Sequence, residues 1–83
     1  MDLDDALEAL ENDRNVGFKD LIKICETFFK GPRIEGNHHV FKTPWAGQPW
    51  VNIQKDGKMA KRYQVKQVRE ALTKLKDLQG EKG

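Results

Sequence analysis

Residues 33–42 read Arg-Ile-Glu-Gly-Asn-His-His-Val-Phe-Lys, and this stretch decides the fold of the chain. Gly36 and Asn37 both tolerate positive φ, so they mark a turn even though Asn-Gly is the stronger hairpin order. The residues on either side predict a β-hairpin with strands at 33–35 and 38–42. The chain therefore changes here from helical periodicity to strand periodicity.

A third strand is predicted to follow the hairpin. Residues 43–49 form a loop by their proline and glycine content, and residues 50–55 then form a strand that ends at the Asp56-Gly57 turn signal. Three antiparallel strands leave one face for helices to cover and the other face open. We expect the functional site on the open face or at its rim.

Helices are predicted on both sides of these strands. Residues 18–29 carry a wide apolar stripe, and Gly31-Pro32 is expected to stop this helix because proline disfavours the helical region for its predecessor. Residues 63–78 place valine and leucine side chains on one face of a last helix. A short amphipathic helix at residues 3–10 precedes both, and residues 80–83 are expected to fray.

The two histidines of the chain, His38 and His39, begin the second strand and point to opposite faces of the sheet. If Phe41 points toward the helices, His39 does too, and His38 lies on the open face. Val40 is also apolar, so the opposite assignment stays open, but Phe41 is the larger side chain and is favoured as the inward residue. His39 then has a supporting or packing role.

The composition predicts a single small domain of 83 residues. No apolar run approaches the ~20 residues of a membrane span, so no membrane partner is expected. The acidic N-terminus lacks the basic start of a signal peptide, which predicts a cytoplasmic protein. A single cysteine, Cys25, excludes an internal disulfide, and its place on the apolar stripe indicates a core residue rather than a nucleophile.

Charge is unevenly distributed along the chain. Residues 1–20 carry seven acidic and two basic side chains, whereas residues 21–83 carry thirteen basic and six acidic ones. A cationic body indicates a nucleic-acid partner, with ordinary surface solubilisation as the alternative. The acidic segment at residues 1–16 is expected to lie against this body and to compete with RNA, although its leucines also give it a structural reason to dock.

The strongest basic cluster surrounds the start of the last helix. Its members are Lys55, Lys58, Lys61, Arg62, Lys66 and Arg69. Contact with phosphates is the functional interpretation, and a solvated turn and helix face is the alternative. Trp45 and Trp50 are able to stack on bases but are equally expected to pack under the loop or on the sheet. Tyr63 is interpreted as an anchor for the start of the helix.

Histidine takes and gives a proton near neutral pH, since its ordinary pKa is about 6.5. RNA carries its own nucleophile, the 2′-hydroxyl, so a positioned histidine is able to act as general acid or base, with a gain of about 10²–10⁴-fold. Arg33, Lys42 and the 55–62 segment are candidates to stabilise charge on the phosphate. Two histidines, with the acidic residues mostly in the N-terminal segment, make a poor metal set, so no metal or other cofactor is expected.

Two stretches carry a family resemblance: Phe18-Lys-Asp-Leu-Ile-Lys in the helix, and residues 33–42 in the hairpin. Together they resemble the HicA family of small RNA-cleaving toxins from bacterial toxin–antitoxin pairs. The family pattern is a helix, an Arg-x-x-Gly-Ser-His run on a hairpin, a third strand and a last helix. The resemblance covers about residues 17–78 and places Gly36 on the family glycine and His38 on its catalytic histidine.

The sequence departs from this pattern at two places. Asn37 stands where the family has serine, and residues 51–54 read Val-Asn-Ile-Gln where many members have Val-Pro-x-His. Residues 1–16 form an N-terminal extension with no counterpart in the minimal pattern. The domain that resembles HicA is therefore assigned to residues 17–79.

The resemblance implies an α+β fold with an α-β-β-β-α core like that of a double-stranded-RNA-binding domain, its antiparallel sheet covered by helices on one face. It implies a metal-independent endoribonuclease (an mRNA interferase) that a HicB-like antitoxin neutralises. His38 is the expected catalytic residue, supported by Gly36 and His39. The expected RNA contacts are Arg33, Asn37, Lys42, Lys55, Lys58, Lys61, Arg62 and Lys66. A non-catalytic binder of structured RNA and a protein-interaction module stay open as alternatives.

Overall fold

A computed structural model describes residues 1–45, 51–55 and 57–80. These residues form three α-helices and a three-stranded antiparallel sheet, which is an α+β fold in the predicted order. The elements are α1 (Leu3–Ala9), α2 (Phe18–Phe28), β1 (Lys30–Glu35), β2 (His38–Lys42), β3 (Val51–Gln54) and α3 (Arg62–Gly80). None of the helices in these ranges is long and apolar enough to cross a membrane.

Helix α2 ends earlier than the sequence indicates. It stops at Phe28, and Phe29 adopts an extended conformation (φ −125°, ψ 166°). This conformation buries the Phe29 ring, which packs edge-on against Trp45 with 6.4 Å between ring centroids. The helix therefore ends one residue before its predicted end, and it ends ahead of Gly31-Pro32, as expected from the sequence.

Strand β1 begins at Lys30, three residues before its predicted start, and contains the cis peptide bond between Gly31 and Pro32. The pairing register shifts between Lys30 and Arg33, which is a bulge in the strand. Gly31 has a φ of +133°, and a Cβ there would lie 2.9 Å from the carbonyl oxygen of Val40. Glycine is therefore required both for its backbone conformation and for the close approach of β2.

The hairpin turn explains why glycine precedes asparagine. Gly36 has a φ of +61°, whereas Asn37 has a negative φ. This is the sign pattern of a type II′ turn, in which glycine takes the first central position. The Gly-Asn order, which is the weaker signal for a type I′ hairpin, is the appropriate order for this turn.

The sheet has the strand order β1-β2-β3, so β2 lies in the centre. Phe41 is buried together with its pairing partner Val51, and Ile53 is buried on the same face. These side chains join the apolar residues of α2 and α3 in one core. The preference for Phe41 as the inward residue is confirmed, and among the described residues no helix covers the opposite face of the sheet.

The acidic N-terminal segment docks along α3. Leu10 is fully buried in the core. Arg69 Nη1 donates to the carbonyl oxygens of Leu10 and Glu11, at 3.4 and 3.5 Å. Lys76 Nζ donates to Asp4 Oδ1 at 2.6 Å, and this hydrogen bond and charge raise the pKa of Lys76. The segment therefore lies against the basic body through apolar, ionic and main-chain contacts.

Cys25 lies in the buried stripe of α2 with Leu21 and Ile24. Burial, with a smaller contribution from the Glu26 carboxylate, raises the pKa of the Cys25 thiol to about 12. A thiol that is protonated and shielded from solvent is not a nucleophile at neutral pH. The interpretation of Cys25 as a core residue is confirmed.

Two further boundaries differ from the sequence prediction. Strand β3 ends at Gln54, one residue before its predicted end, and the predicted first residue Trp50 lies outside the described residues, as does Asp56 of the following turn. Helix α3 continues through Gly80, where fraying was expected. Residues 81–83 also lie outside the described residues.

Candidate nucleic-acid interface

The open face of the sheet carries polar side chains from all three strands. Directly opposed residues of neighbouring strands share a face, so the strand register defines this surface. One rung contains Glu35, His38 and Gln54, and the next contains Arg33, Val40 and Asn52. His38 is half-buried in the middle of its rung. Its predicted position on the open face is confirmed.

His38 makes a side-chain hydrogen bond that the sequence did not predict. Its Nδ1 lies 3.2 Å from Oδ1 of Asn52, the diagonal neighbour on β3. In the tautomer with its proton on Nδ1, the ring donates to this amide oxygen and the lone pair lies on Nε2. The contact with Asn52 therefore orients the His38 ring, and in this tautomer Nε2 is the proton acceptor.

An ion pair lies beside His38 on the same face. Arg33 Nη2 and Glu35 Oε1 are 2.9 Å apart, and the two side chains are 79% and 56% exposed. Exposed pairs of this kind contribute about 0–1 kcal/mol, so this one opens readily. Glu35 is the residue opposite His38, which places a carboxylate on the same rung as the candidate catalytic ring. The paired guanidinium of Arg33 partly neutralises the negative charge of this Glu35 carboxylate.

The hairpin turn and the end of β3 are joined by a main-chain hydrogen bond. The N–H of Lys55 donates to the carbonyl oxygen of Asn37 at 2.9 Å, so the exposed Lys55 lies beside the turn that leads into His38. Lys42 lies four residues from His38, about 13 Å along the strand, and pairs with Lys30. The structure brings Asn37 and Lys55 close to His38, but not Lys42.

The segment before α3 is held against the start of α2. The N–H of Phe18 donates to the carbonyl oxygen of Lys58 at 2.8 Å, and the N–H of Ala60 donates to that of Val16 at 2.9 Å. The exposed Lys58 side chain therefore extends from a backbone that is fixed on both sides. This placement agrees with a surface that presents positive charge at a defined position.

The start of α3 carries the remaining candidate contacts. Lys61, Arg62 and Lys66 line a shallow concavity together with Ala60 and Tyr63. Tyr63 is 60% exposed, and the Lys61 Nζ lies 5.9 Å from the centroid of its ring. The interpretation of Tyr63 as an anchor for the helix is wrong, because its side chain lies mostly in solvent.

Two basic residues of the cluster are engaged by the N-terminal segment. Arg62 Nε lies 3.4 Å from Oδ1 of Asp13, whose side chain is only 15% exposed. Arg69 donates to the carbonyl oxygens that follow α1. Contact between Arg62 and a phosphate therefore requires Asp13 to release it, whereas Arg69 has a structural role.

Gln64 connects α3 to β3, the strand whose residue Gln54 pairs with His38. It is 1% exposed, a buried polar side chain within the described core. In the amide orientation that satisfies both groups, its oxygen accepts from the Gln54 N–H at 2.9 Å and its nitrogen donates to the Gln54 carbonyl at 3.3 Å. β3 is an edge strand, and Gln64 supplies partners for its outward backbone groups. Gln64 lies four positions before Val68 and so falls on the apolar stripe of the helix. A polar residue at such a position was the signal in the sequence.

His39 and Trp45 have packing roles. The His39 ring lies edge-on to Phe18, with centroids 5.3 Å apart and an interplanar angle of 75°. Trp45 packs against Phe29, and the Lys74 ammonium lies 4.6 Å from the centroid of its indole ring. Of the two interpretations of Trp45, base stacking and packing, the structure supports packing. Trp50 lies outside the described residues.

Comparison with known proteins adds no identification. No protein family, curated protein or solved structure matches this chain. Within the described ranges, no group of three or more His, Cys, Asp or Glu side chains is placed to hold a metal ion. A functional proposal rests on the geometry of the open face, the distribution of charge and the sequence resemblance.

Proposed function

We propose that this chain is a metal-independent endoribonuclease in which His38 is the general base. The observation that carries the proposal is the 3.2 Å contact between His38 Nδ1 and Asn52 Oδ1 on the open face of the sheet. This contact orients the ring and leaves Nε2 as the basic nitrogen. Proton abstraction from a substrate requires a base that is held in a fixed orientation.

The RNA itself supplies the nucleophile. Nε2 of His38 accepts the proton of a 2′-hydroxyl, the 2′-oxygen bonds to the adjacent phosphorus, and the bond from phosphorus to the 5′-oxygen of the next nucleotide breaks. The imidazolium then returns the proton to the departing 5′-oxygen. The products are a 2′,3′-cyclic phosphate and a 5′-hydroxyl. A cation near the phosphate stabilises the developing charge, and Arg33, one rung away, is the candidate.

The basic surface supports RNA as the substrate. Lys55 lies beside the turn before His38, Lys58 is exposed in the segment before α3, and Lys66 is exposed near the start of that helix. Lysines at such positions contact phosphates without reading the base sequence. The Gln64–Gln54 contact joins the start of α3, which carries Lys66, to β3, and Gln54 of β3 is the pairing partner of His38.

The resemblance to HicA toxins extends this proposal. The α-β-β-β-α order agrees with a double-stranded-RNA-binding-domain-like arrangement preceded by an extra helix. Under this proposal the chain acts in the cytoplasm on messenger RNA and is the toxin of a toxin–antitoxin pair. Its partner is then a HicB-like antitoxin protein that blocks cleavage.

A non-catalytic RNA-binding function is the second candidate, and the position of Glu35 favours it. The Glu35 carboxylate is opposite His38, and it repels a phosphate that approaches the ring. Binding through Lys58 and Lys66 does not require His38. The two functions therefore differ in whether RNA is cleaved, not in whether it is bound.

Binding is tested by replacing Lys58 and Lys66 with glutamine. We expect weaker binding of all RNA sequences and a shallower dependence of log affinity on log salt, by about 0.7–0.9 for each phosphate contact that is lost. Lys74→Gln is the control for loss of one charge about 12 Å further along α3; because it also removes the ammonium from the Trp45 ring, its melting temperature is measured alongside. An unchanged salt dependence in the double variant would refute this binding surface.

Catalysis is tested by comparing His38→Ala with Val40→Ala, a change on the same strand and the same face. The nuclease proposal predicts that His38→Ala binds RNA but does not cleave it, whereas Val40→Ala does both. A wild-type protein that binds RNA with a normal salt dependence and leaves it intact would establish the second candidate.

A further inference from the structure

We infer that Tyr63 is a stacking platform for an unpaired RNA base, which makes single-stranded or looped RNA the substrate rather than a continuous duplex. This inference rests on the proposed function and specifies its substrate. The Tyr63 ring is exposed. The large apolar side chains that are exposed in the described part of the chain are Met1, Ile34, Met59 and Tyr63, and Tyr63 is the aromatic one.

The surroundings of Tyr63 are cationic. Lys61, Arg62 and Lys66 line the same concavity, and the Lys61 ammonium lies 5.9 Å from the ring centroid. Lys66 follows Tyr63 by three positions in α3, which places both on the same side of the helix. An exposed aromatic ring among lysines is the arrangement by which proteins hold single-stranded nucleic acid, with bases on the ring and phosphates on the cations.

Stacking on Tyr63 selects against paired RNA. Bases inside an A-form duplex are covered on both faces by their neighbours, so only an unpaired base presents a face to a protein ring. In the complex the base takes the position over the ring that lies beside the Lys61 ammonium. The aromatic contact thus supplies the selection, and the lysines supply affinity for any strand.

The position of Tyr63 relative to His38 is fixed by the fold. Gln64, the next residue, hydrogen-bonds both backbone groups of Gln54, and Gln54 is the pairing partner of His38. A base stacked on Tyr63 therefore anchors the RNA at a constant offset from the catalytic ring. Tyr63 is a positioning residue, and its contribution is expected in substrate binding.

The test measures affinity for a short single-stranded RNA and for the duplex of the same sequence, by fluorescence anisotropy at one salt concentration. All proteins carry His38→Ala so that the RNA stays intact. We expect Tyr63→Ala to weaken single-strand binding by about 5-fold to 150-fold, the range for loss of one stacked base, and to leave duplex binding unchanged. Tyr63→Phe should retain the affinity of the parent. Ile34→Ala removes another exposed apolar side chain and should change neither affinity.

The outcomes separate this inference from the function on which it rests. If Tyr63→Ala weakens both RNA forms equally, or weakens neither, the stacking role is wrong while RNA binding stands. If the parent binds duplex RNA more tightly than single-stranded RNA, the assignment of single-stranded RNA as the substrate is wrong, while RNA binding again stands. If the parent binds neither RNA form, the proposed function fails, and this inference fails with it.

Discussion

Gln64→Leu is the substitution that tests most sharply how α3 is joined to the sheet. Gln64 is 1% exposed, and its amide accepts from the Gln54 N–H at 2.9 Å and donates to the Gln54 carbonyl at 3.3 Å. Leucine has a similar volume, so the change leaves little cavity and acts through the lost hydrogen bonds. Both backbone groups of Gln54 are then left without these partners on the edge of the sheet.

The expected destabilisation follows from these two groups. A buried backbone donor or acceptor without a partner costs about 1–3 kcal/mol. Two such groups give a loss of about 2–6 kcal/mol, from a total stability of about 4–12 kcal/mol expected for a chain of this length. For a domain of this size the melting temperature should fall by about 4–8 °C for each kcal/mol of stability that is lost.

Urea unfolding and thermal melting of Gln64→Leu measure this loss. Gln79→Leu is the matched control, because Gln79 is exposed on the same helix and its replacement should change stability by less than about 0.5 kcal/mol. If Gln64→Leu is as stable as Gln79→Leu, then Gln64 does not supply the partners of the β3 edge. The rigid connection between α3 and His38 would then lose its support.

Three further variants probe the site, the N-terminal segment and the core. Asn52→Ala should slow RNA cleavage by about 2- to 10-fold with RNA affinity retained, because His38 loses a hydrogen bond worth about 0.5–1.5 kcal/mol. Initial cleavage rates measure this effect, and an unchanged rate would contradict it. Asp13→Asn should release Arg62 and raise RNA affinity at low salt, as a binding titration would show; equal affinity would mean that Asp13 does not compete with RNA. The pKa of Cys25 is about 12 in the folded protein against 9.0 ordinarily, so the unfolded thiol ionises first as pH rises. The stabilisation is complete below pH 9 and is lost between pH 9 and 12 at about 1.4 kcal/mol per pH unit. Chemical denaturation across this range should show that Cys25→Ala lacks this part of the slope, and parallel curves would contradict the assignment.

The order of the elements and the face of His38 were predictable from local patterns. Period-2 alternation, with Phe41 as the larger inward residue, placed His38 on the open face, and the apolar stripe placed Cys25 in the core. These patterns depend only on residues close in sequence. The start of β1 at Lys30 was missed, and the preceding Phe29 packs against Trp45, a contact across 16 positions that local patterns do not show.

The contacts that build the site were not predictable in this way. The partner of His38 is 14 positions away on β3, and it is defined by the register between two strands. The pairing of Arg62 with Asp13 depends on how the N-terminal segment docks on α3. A single sequence shows which side chains are polar at these positions, but it does not show which pairs meet.

The chemistry of the RNA ends tests the role of His38 most directly. Purified protein is incubated with RNA in the presence of a metal chelator, and the new ends are identified for the wild type and for His38→Ala. We predict 2′,3′-cyclic phosphate and 5′-hydroxyl ends from the wild type, and intact RNA from His38→Ala with its fold and RNA affinity preserved. Ends that carry a 5′-phosphate, cleavage that stops with the chelator, or cleavage that persists in His38→Ala would contradict a metal-free reaction with His38 as its base.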